Sequence, residues 1–185
     1  MIPRGLYGMA DASYGDVLVQ VRRFADEGVG IVQLRCKGWP DDRVAAAVAA
    51  GRELGVLLVV NDRVAVARAA GAWVHLGQDD GPDPEIPFGR STHTRAQVQD
   101  PGAARYVGFG PVFETTTKRT PWAARGLVAL AEAVRVASVP VVAIGGITEA
   151  NVDAVRSTGV HAWAVVGAIA GAPDPRAAIR RLNRR

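Results

Sequence analysis

The sequence lacks several features that would assign it to whole classes of protein. Its single cysteine, Cys36, excludes an internal disulfide and a metal cluster built from cysteines, and it fits a reducing compartment. No stretch approaches the roughly 20 apolar residues of a membrane-spanning helix. The start of the chain, MIPRGLYGMADAS, lacks the long apolar run of a secretory signal. These absences predict a cytoplasmic protein with no membrane association and no thiol redox chemistry.

Aromatic residues are also scarce, and this scarcity bears on nucleic-acid binding. The formal net charge of +4 and the terminal segment RRLNRR would attract polyanions or phosphorylated metabolites. However, aromatic side chains form only 6% of the 185 residues and are not interleaved with the cations. We therefore predict no nucleic-acid partner and interpret RRLNRR as the solvated end of the last helix. The sequence leaves room for a homo-oligomer.

Short β-rich runs alternate with alanine-rich segments whose apolar residues recur every three or four positions. This alternation is typical of repeated βα units and a parallel sheet. The predicted strands are LYGMA (6–10), GIVQLR (30–35), VLLVVN (56–61), AWVHLG (72–77), FGRST (88–92), YVGFGP (106–111), VVAIGG (141–146) and AWAVVG (162–167). The predicted helical segments are 17–28, 41–54, 63–71, 125–137, 148–159 and 174–185, with up to two further turns in THTRAQVQDPG.

Eight strands in this order predict an α/β fold, a single compact (β/α)8 TIM barrel over residues 1–185. The chain is shorter than the usual lower bound of about 200 residues for that fold. We therefore predict shortened helical connections, the second and the fourth being the short ones. The fourth, QDDGPDPEIP, is too rich in proline and glycine for a full helix.

Catalytic and binding residues of such a barrel lie at the carboxyl ends of the strands. Polar residues concentrate there in this sequence, after strands 2 to 7. Alternation places Gln33, Arg35 and Lys37 on one face of strand 2, which we expect to point toward the barrel mouth. Cys36 then points outward and is interpreted as a small buried hydrophobic residue.

Asp62 and Asp80 follow two neighbouring strands, so their carboxylates are expected to converge. Magnesium suits such a pair, because it takes one or two protein carboxylates and fills its other positions with water and phosphate oxygens. An equal alternative for Asp62 is the N-cap of the following helix. Asp80 also fits a turn residue in DDGPDP.

Glycines at the ends of strands 7 and 8 suit a phosphate cradle, because backbone N–H groups can approach phosphate oxygens closely there. The residues are Gly145, Gly146 and Gly167. The alternative for Gly145 and Gly146 is a tight turn without a ligand. His75 lies in an apolar strand and is interpreted as a hydrogen-bonded interior residue rather than a metal ligand.

Seven motifs in sequence order carry a family resemblance that covers nearly the whole chain. They are QLRCK, NDRVAVA, VHLGQDD, STHT, GPVFETTTK, AIGGIT and AVVGAI. The chain resembles the thiamine phosphate synthase family, which also contains a thiazole tautomerase branch. For the synthase, the resemblance implies magnesium-dependent coupling of hydroxymethylpyrimidine diphosphate to hydroxyethylthiazole phosphate or its carboxylate, with release of diphosphate.

The resemblance also implies a role for each matching residue. Gln33 would bind the pyrimidine ring, and Asp62 and Asp80 would bind magnesium. The diphosphate would be held by Arg35, Lys37, Asn61, Ser91 and Lys118, of which Arg35, Lys37 and Lys118 would assist its departure. The thiazole phosphate would be held by Thr115, Thr117, Gly146, Val166 and Gly167.

Some residues depart from the synthase pattern. FETTTK and the downstream ARGL resemble the tautomerase branch, in which the residue matching His93 would move a proton during isomerisation of the thiazole. A non-catalytic thiazole phosphate-binding barrel is a further alternative. Against the tautomerase, VHLGQDD is intact. Gly167 stands where the family commonly has serine, and the sequence offers no reason for Arg90.

Overall fold

Eight parallel strands close into a barrel in the computed structural model, which describes residues 1–115, 117 and 121–184. Each strand pairs with the next, and Gly5 of the first pairs with Ala162 of the last to complete the barrel. The predicted α/β barrel is confirmed. The strands are β1 (Gly5–Asp11), β2 (Ile31–Arg35), β3 (Leu57–Asn61), β4 (Trp73–Leu76), β5 (Phe88–Thr92), β6 (Tyr106–Phe109), β7 (Val141–Ile144) and β8 (Ala162–Val165).

Helices surround the barrel, and several begin or end at the residues expected for caps. Asp16 and Asp174 accept hydrogen bonds from backbone N–H groups at the start of α1 and α8, and Gly71 ends α3 with φ 62°. No helix in the described ranges is long and apolar enough to cross a membrane. The helices are α1 (Val17–Asp26), α2 (Asp41–Arg52), α3 (Val64–Ala70), α4 (Arg95–Gln99), α5 (Gly126–Val136), α6 (Val152–Arg156), α7 (Gly167–Ala170) and α8 (Pro175–Asn183).

The shortened connections were predicted correctly in one of two places. Residues 77–87, between β4 and β5, contain no helix, as their proline and glycine content indicates. The prediction for the second connection is wrong, because α2 is a full helix of 12 residues. Brevity instead comes from α4 and α6, which have five residues each. The connection without a helix after β4 and the short helices α4 and α6 allow a complete barrel in a short chain.

Side-chain alternation divides the core into two layers. The outer layer lies between the strands and the helices, and it includes Leu34 and the buried Cys36. The outward position predicted for Cys36 is confirmed, and burial raises the pKa of its thiol to about 11. The layer inside the barrel is smaller and comprises Ile2, Tyr7, Met9, Ile31, Val59, Tyr106, Val142, Ala162 and Ala164. Polar side chains cap this inner layer at the carboxyl ends of the strands.

Candidate active site at the carboxyl ends of the strands

Two carboxylates lie together at the barrel mouth. Asp62 directly follows β3, and Asp80 lies in the loop after β4. The pKa of Asp62 is raised, first by burial and then by the charge and hydrogen bonding of Asp80. Lys37 and Asn61 act in the opposite direction, so a cation and an amide also lie beside the carboxylates. The structure thus brings four of the predicted site residues together.

The backbone of Asp62 shows that this residue does not cap a helix. Its φ is 66°, a left-handed conformation that aspartate and asparagine tolerate better than most residues. Its N–H donates to the carbonyl of His75 at 2.9 Å. The N-cap of α3 is Arg63, so the capping alternative for Asp62 is wrong. The Asp62 carboxylate is therefore not used for helix capping, and it lies beside the carboxylate of Asp80.

The carboxylate pair fits a cation that is shared with a bound ligand. Magnesium commonly takes one or two carboxylates from the protein and oxygen atoms from substrate phosphate. A cation between Asp62 and Asp80 would also offset the repulsion that, after burial, raises the pKa of Asp62. In the part of the chain that the structure describes, no group of three or more histidine, cysteine or acidic side chains could hold a metal. The donors suit magnesium held jointly with a phosphorylated ligand.

Arg90 supports the loop that carries Asp80, which accounts for a residue that the sequence left unexplained. Its Nη1 donates to the Gly77 carbonyl at 3.0 Å, and its Nη2 donates to the Gly81 carbonyl at 3.3 Å and to Asp83 at 3.0 Å. The N–H of Gly77 in turn donates to the Asp80 carboxylate. The turn interpretation of Asp80 therefore also holds, and Arg90 fixes the turn.

The inward face of β2 presents the predicted polar side chains. Gln33 is buried inside the barrel, and Arg35 forms an ion pair with Asp11 from the neighbouring strand. Burial tends to raise the pKa of Asp11, but hydrogen bonds from Ser13 and Arg35 outweigh it, so that pKa is lowered. Asp11 remains ionised and holds the guanidinium at the mouth. Lys37 lies beyond the end of the strand and is exposed.

His75 is a hydrogen-bonded interior residue, as predicted. Its Nδ1 lies 2.9 Å from the hydroxyl of Tyr106, and its Nε2 lies 3.0 Å from the hydroxyl of Ser91. The carbonyl of Ser91 accepts a hydrogen bond from Gln78, which ties the end of β5 to the loop after β4. These contacts set the position of Ser91 from two sides.

The loop after β6 brings Thr117 to the start of α7. A Cβ added to Gly167 would lie 3.1 Å from the Thr117 hydroxyl, so that hydroxyl lies against Gly167, which follows the N-cap Val166. The Thr115 hydroxyl accepts a hydrogen bond from the Thr117 N–H at 3.3 Å. The loop therefore joins three of the residues predicted for one phosphate. Lys118 lies outside the described residues.

The glycines after β7 are required by the close approach of this same loop. Gly145 and Gly146 have φ values of 100° and 65°. A Cβ on Gly146 would lie 2.4 Å from the Glu114 carbonyl oxygen, and one on Gly145 would lie 2.6 Å from Pro111. The turn alternative for the two glycines therefore holds in part. They form a turn, and this turn also packs closely against the loop after β6 that carries Thr115 and Thr117.

His93 is fixed by backbone and aromatic contacts. Its Nδ1 lies 2.6 Å from the Gly110 carbonyl, so Nδ1 carries the hydrogen and Nε2 is the basic nitrogen of the neutral ring. Its ring stacks on Trp122 at 4.9 Å, and the Arg125 guanidinium lies over the same indole at 4.8 Å. Nε and Nη2 of Arg125 are buried and have no hydrogen-bond partner among the residues that the structure describes.

Several residues of the site were not predicted from the sequence. Asp11 continues the period-two pattern of Tyr7 and Met9, and this alternation was the signal that could have revealed it. Arg63 donates to the carbonyls of Trp39 and Cys36 and so fixes the loop that carries Lys37, but no motif indicated this role.

Comparison with known proteins agrees with this geometry. The family described as thiamine monophosphate synthase matches residues 6–169. The thiamine-phosphate synthase of Anaeromyxobacter dehalogenans is 40% identical, over 97% of this chain and 86% of that protein. Its counterpart from Escherichia coli O6:H1 is also 40% identical, over 96% and 90% of the two chains. The structure of a Pyrococcus furiosus thiamine phosphate pyrophosphorylase superposes with a TM-score of 0.86 at 32% identity, covering 96% of this chain and 93% of that one.

Proposed function

The chain belongs to the thiamine monophosphate synthase family, and we propose that it couples hydroxymethylpyrimidine diphosphate to hydroxyethylthiazole phosphate or its carboxylate. The products are thiamine phosphate and diphosphate, so the protein is a transferase. We propose that one barrel domain over residues 1–185 carries the whole activity. Its cytoplasmic location stays a prediction of the sequence, which also leaves room for a homo-oligomer.

The observation that carries this proposal is the Asp62–Asp80 pair, with Lys37 and Asn61 beside it. A diphosphate needs opposing charge from several directions, and this cluster combines a cation, an amide and a place for a metal. When bound, magnesium supplies positive charge to the leaving diphosphate. Asp62 and Asp80 would hold it.

The remaining residues bind and orient the two substrates. Gln33 would contact the pyrimidine, and Arg35, Lys37, Asn61, Ser91 and Lys118 would hold the diphosphate. The guanidinium of Arg35 uses Nη1 for Asp11, and its remaining donors would bind phosphate oxygens. Thr115, Thr117, Gly146, Val166 and Gly167 would hold the phosphate of the thiazole.

The chemistry requires charge stabilisation and proximity rather than a nucleophilic side chain. The bond between the pyrimidine methylene carbon and the diphosphate oxygen breaks, and its electron pair leaves with diphosphate. The thiazole nitrogen then forms the new bond to that carbon. Preplaced cations stabilise the charge that develops on the leaving group. Holding the thiazole against the pyrimidine removes most of the entropic cost of their encounter.

The geometry favours the synthase over the tautomerase. Isomerisation of the thiazole would depend on His93 and would need neither diphosphate binding nor magnesium. The intact carboxylate pair after β3 and β4 therefore has no purpose in a tautomerase. A non-catalytic binding barrel would bind the ligands without forming product, and the assay below distinguishes it from the synthase.

Purified protein with magnesium and both substrates should form thiamine phosphate. Hydroxymethylpyrimidine diphosphate should also raise Tm by about 5–10 °C at a hundredfold excess over Kd, because a ligand of the native state stabilises it by mass action. With a chelator present, most of this shift should disappear. Product analysis by mass spectrometry and a thermal scan check the two expectations.

Three outcomes would contradict the proposal. Ligand binding without product would favour the non-catalytic barrel. Isomerisation of the thiazole that is lost in His93→Ala, without formation of thiamine phosphate, would favour the tautomerase. An equal thermal shift with and without magnesium would remove the role proposed for Asp62 and Asp80.

The close contact between Gly146 and the loop that carries Thr115 and Thr117 gives a separate prediction. Gly146→Ala should raise KM for the thiazole phosphate about tenfold, because the new Cβ displaces the loop that holds Thr115 and Thr117. KM for the pyrimidine substrate should change little. Gly159→Ala is a matched control, since Gly159 also has a positive φ of 79° but the nearest atom to its added Cβ is 3.9 Å away. Steady-state kinetics with each substrate varied in turn would measure both variants, and equal effects on both KM values would contradict the prediction.

A further inference from the structure

A continuous chain of hydrogen bonds crosses the barrel beneath the candidate active site. It begins at Gln33, whose Nε2 donates to the Tyr7 hydroxyl at 3.1 Å. The Tyr7 and Tyr106 hydroxyls are 2.7 Å apart, and Tyr106 lies 2.9 Å from His75 Nδ1. The chain ends where His75 Nε2 meets the Ser91 hydroxyl at 3.0 Å. It therefore joins the side chain proposed for the pyrimidine to one proposed for the diphosphate.

The donor at Gln33 favours one direction for the later hydrogen bonds. The Tyr7 oxygen accepts from Gln33. Either tyrosine could donate in the Tyr7–Tyr106 bond, but with Tyr7 as the donor each tyrosine hydroxyl hydrogen of the hydrogen-bond chain has an acceptor, whereas the reverse direction would leave the Tyr7 hydrogen without one in that chain. The Tyr106 hydrogen then goes to Nδ1 of His75, which places the hydrogen of the neutral ring on Nε2. Nε2–H in turn donates to the Ser91 oxygen. The hydrogen of the Ser91 hydroxyl is left for a ligand.

The tyrosine hydroxyls remain protonated, as this arrangement requires. Burial raises the pKa of Tyr7 and of Tyr106 well above the usual value for tyrosine. Each hydroxyl therefore has one hydrogen to donate at any physiological pH.

From this geometry we infer that Tyr7, Tyr106 and His75 are positioning residues that fix hydrogen-bond polarity at both ends of the site. At one end Gln33 keeps Nε2 for Tyr7 and offers Oε1, an acceptor, to the ligand. At the other end Ser91 offers a donor to phosphate oxygens. The inference rests on the proposed function and adds a basis for specificity: the pyrimidine must present a donor, such as its exocyclic amino group.

Glycines on the neighbouring strands leave room for the side chains of this hydrogen-bond chain. A Cβ on Gly89 would lie 2.0 Å from the Tyr106 ring, and one on Gly108 would lie 3.4 Å from the His75 ring. The rest of the inner layer is apolar, including Ile31 and Val59. Phenylalanine would fill the space of either tyrosine without burying a hydroxyl, which is costly unless it is hydrogen-bonded. The hydroxyls therefore do more than fill the barrel.

The test compares the natural pyrimidine diphosphate with an analogue in which a carbonyl group replaces the amino group. Wild-type protein should prefer the amino compound by about a hundredfold or more in kcat/KM, because the analogue places two acceptors against each other. In Tyr7→Phe, Gln33 is free to rotate and offer Nε2, so the preference should fall about tenfold. Tyr106→Phe should also lower it and, in addition, raise KM for the natural substrate, because His75 loses the donor that sets its tautomer.

The third tyrosine of the chain provides the control. Tyr14 is 46% exposed and is not part of the hydrogen-bond chain, so Tyr14→Phe should keep the wild-type preference. An unchanged preference in Tyr7→Phe, in protein that still makes thiamine phosphate, would overturn the inference. Tyr7→Phe decides this even if Tyr106→Phe fails to fold. Wild-type protein that makes no thiamine phosphate would instead refute the proposed function, and the inference would fall with it.

Discussion

Asp62→Asn should lower kcat/KM for thiamine phosphate formation by about a hundredfold to a thousandfold, the size of effect seen when one preplaced group that stabilises developing charge is removed. The substitution removes one of two carboxylates proposed for magnesium and leaves an amide, which is a weaker ligand for a hard cation. The backbone should not change, because asparagine tolerates the φ of 66° at this position. Kinetics over a magnesium titration would measure the loss.

A neighbouring carboxylate separates a specific effect from a general loss of negative charge. Asp79 is exposed and lies next to Asp80 in the sequence, and Asp79→Asn should keep nearly full activity. Asp62→Asn should also abolish the magnesium-dependent part of the thermal shift caused by the pyrimidine diphosphate. Wild-type activity in Asp62→Asn, or an equal loss in Asp79→Asn, would contradict the proposed magnesium site.

The strands and helices could be predicted because the spacing of apolar residues along the sequence follows the period of each element. All eight strands were located with errors of at most two residues at either end. Alternation also placed Gln33 inside the barrel and Cys36 outside it, since a one-residue error in register would exchange the two faces. The carboxyl-end rule for barrels then brought Asp62 and Asp80 together without knowledge of the loops.

The parts that could not be predicted depend on long-range contacts. The prediction ended β1 at Ala10, yet Asp11 continues the strand, pairs in register with Arg35 and forms an ion pair with it, which offsets the low strand propensity of aspartate. The role of Arg90 depends on the path of residues 77–83, which no local pattern specifies. The hydrogen-bond chain through Tyr7 and Tyr106 joins residues that are 99 positions apart. Only the closed barrel brings such residues together.

The Asp11–Arg35 pair predicts a second large effect. Arg35→Met should lower kcat/KM by about a hundredfold, because it removes a rigid cation that can offer several donors to the leaving diphosphate. Arg35→Lys should recover only part of this loss, since an ammonium group cannot contact Asp11 and a phosphate with the same fork of donors. Arg22→Met, on the exposed face of α1, should leave activity unchanged and controls for the loss of one charge.

Asp11→Asn tests whether Arg35 must be held in place as well as present. Arg35 keeps its charge in this variant, so a loss of about tenfold, mainly in KM, is expected from the loosened guanidinium.

The stability of Asp11→Asn should also differ from that of the wild type in its dependence on pH. Because its hydrogen bonds lower the pKa of Asp11, the carboxylate stabilises the native state fully above its unfolded pKa of about 4. That stabilisation disappears as pH falls through the lowered folded value. The difference in unfolding free energy between wild type and Asp11→Asn should therefore be constant near neutral pH and shrink below about pH 4. A difference that stayed constant into strong acid would show that Asp11 is not ionised beside Arg35, and the account of how Arg35 is positioned would be wrong.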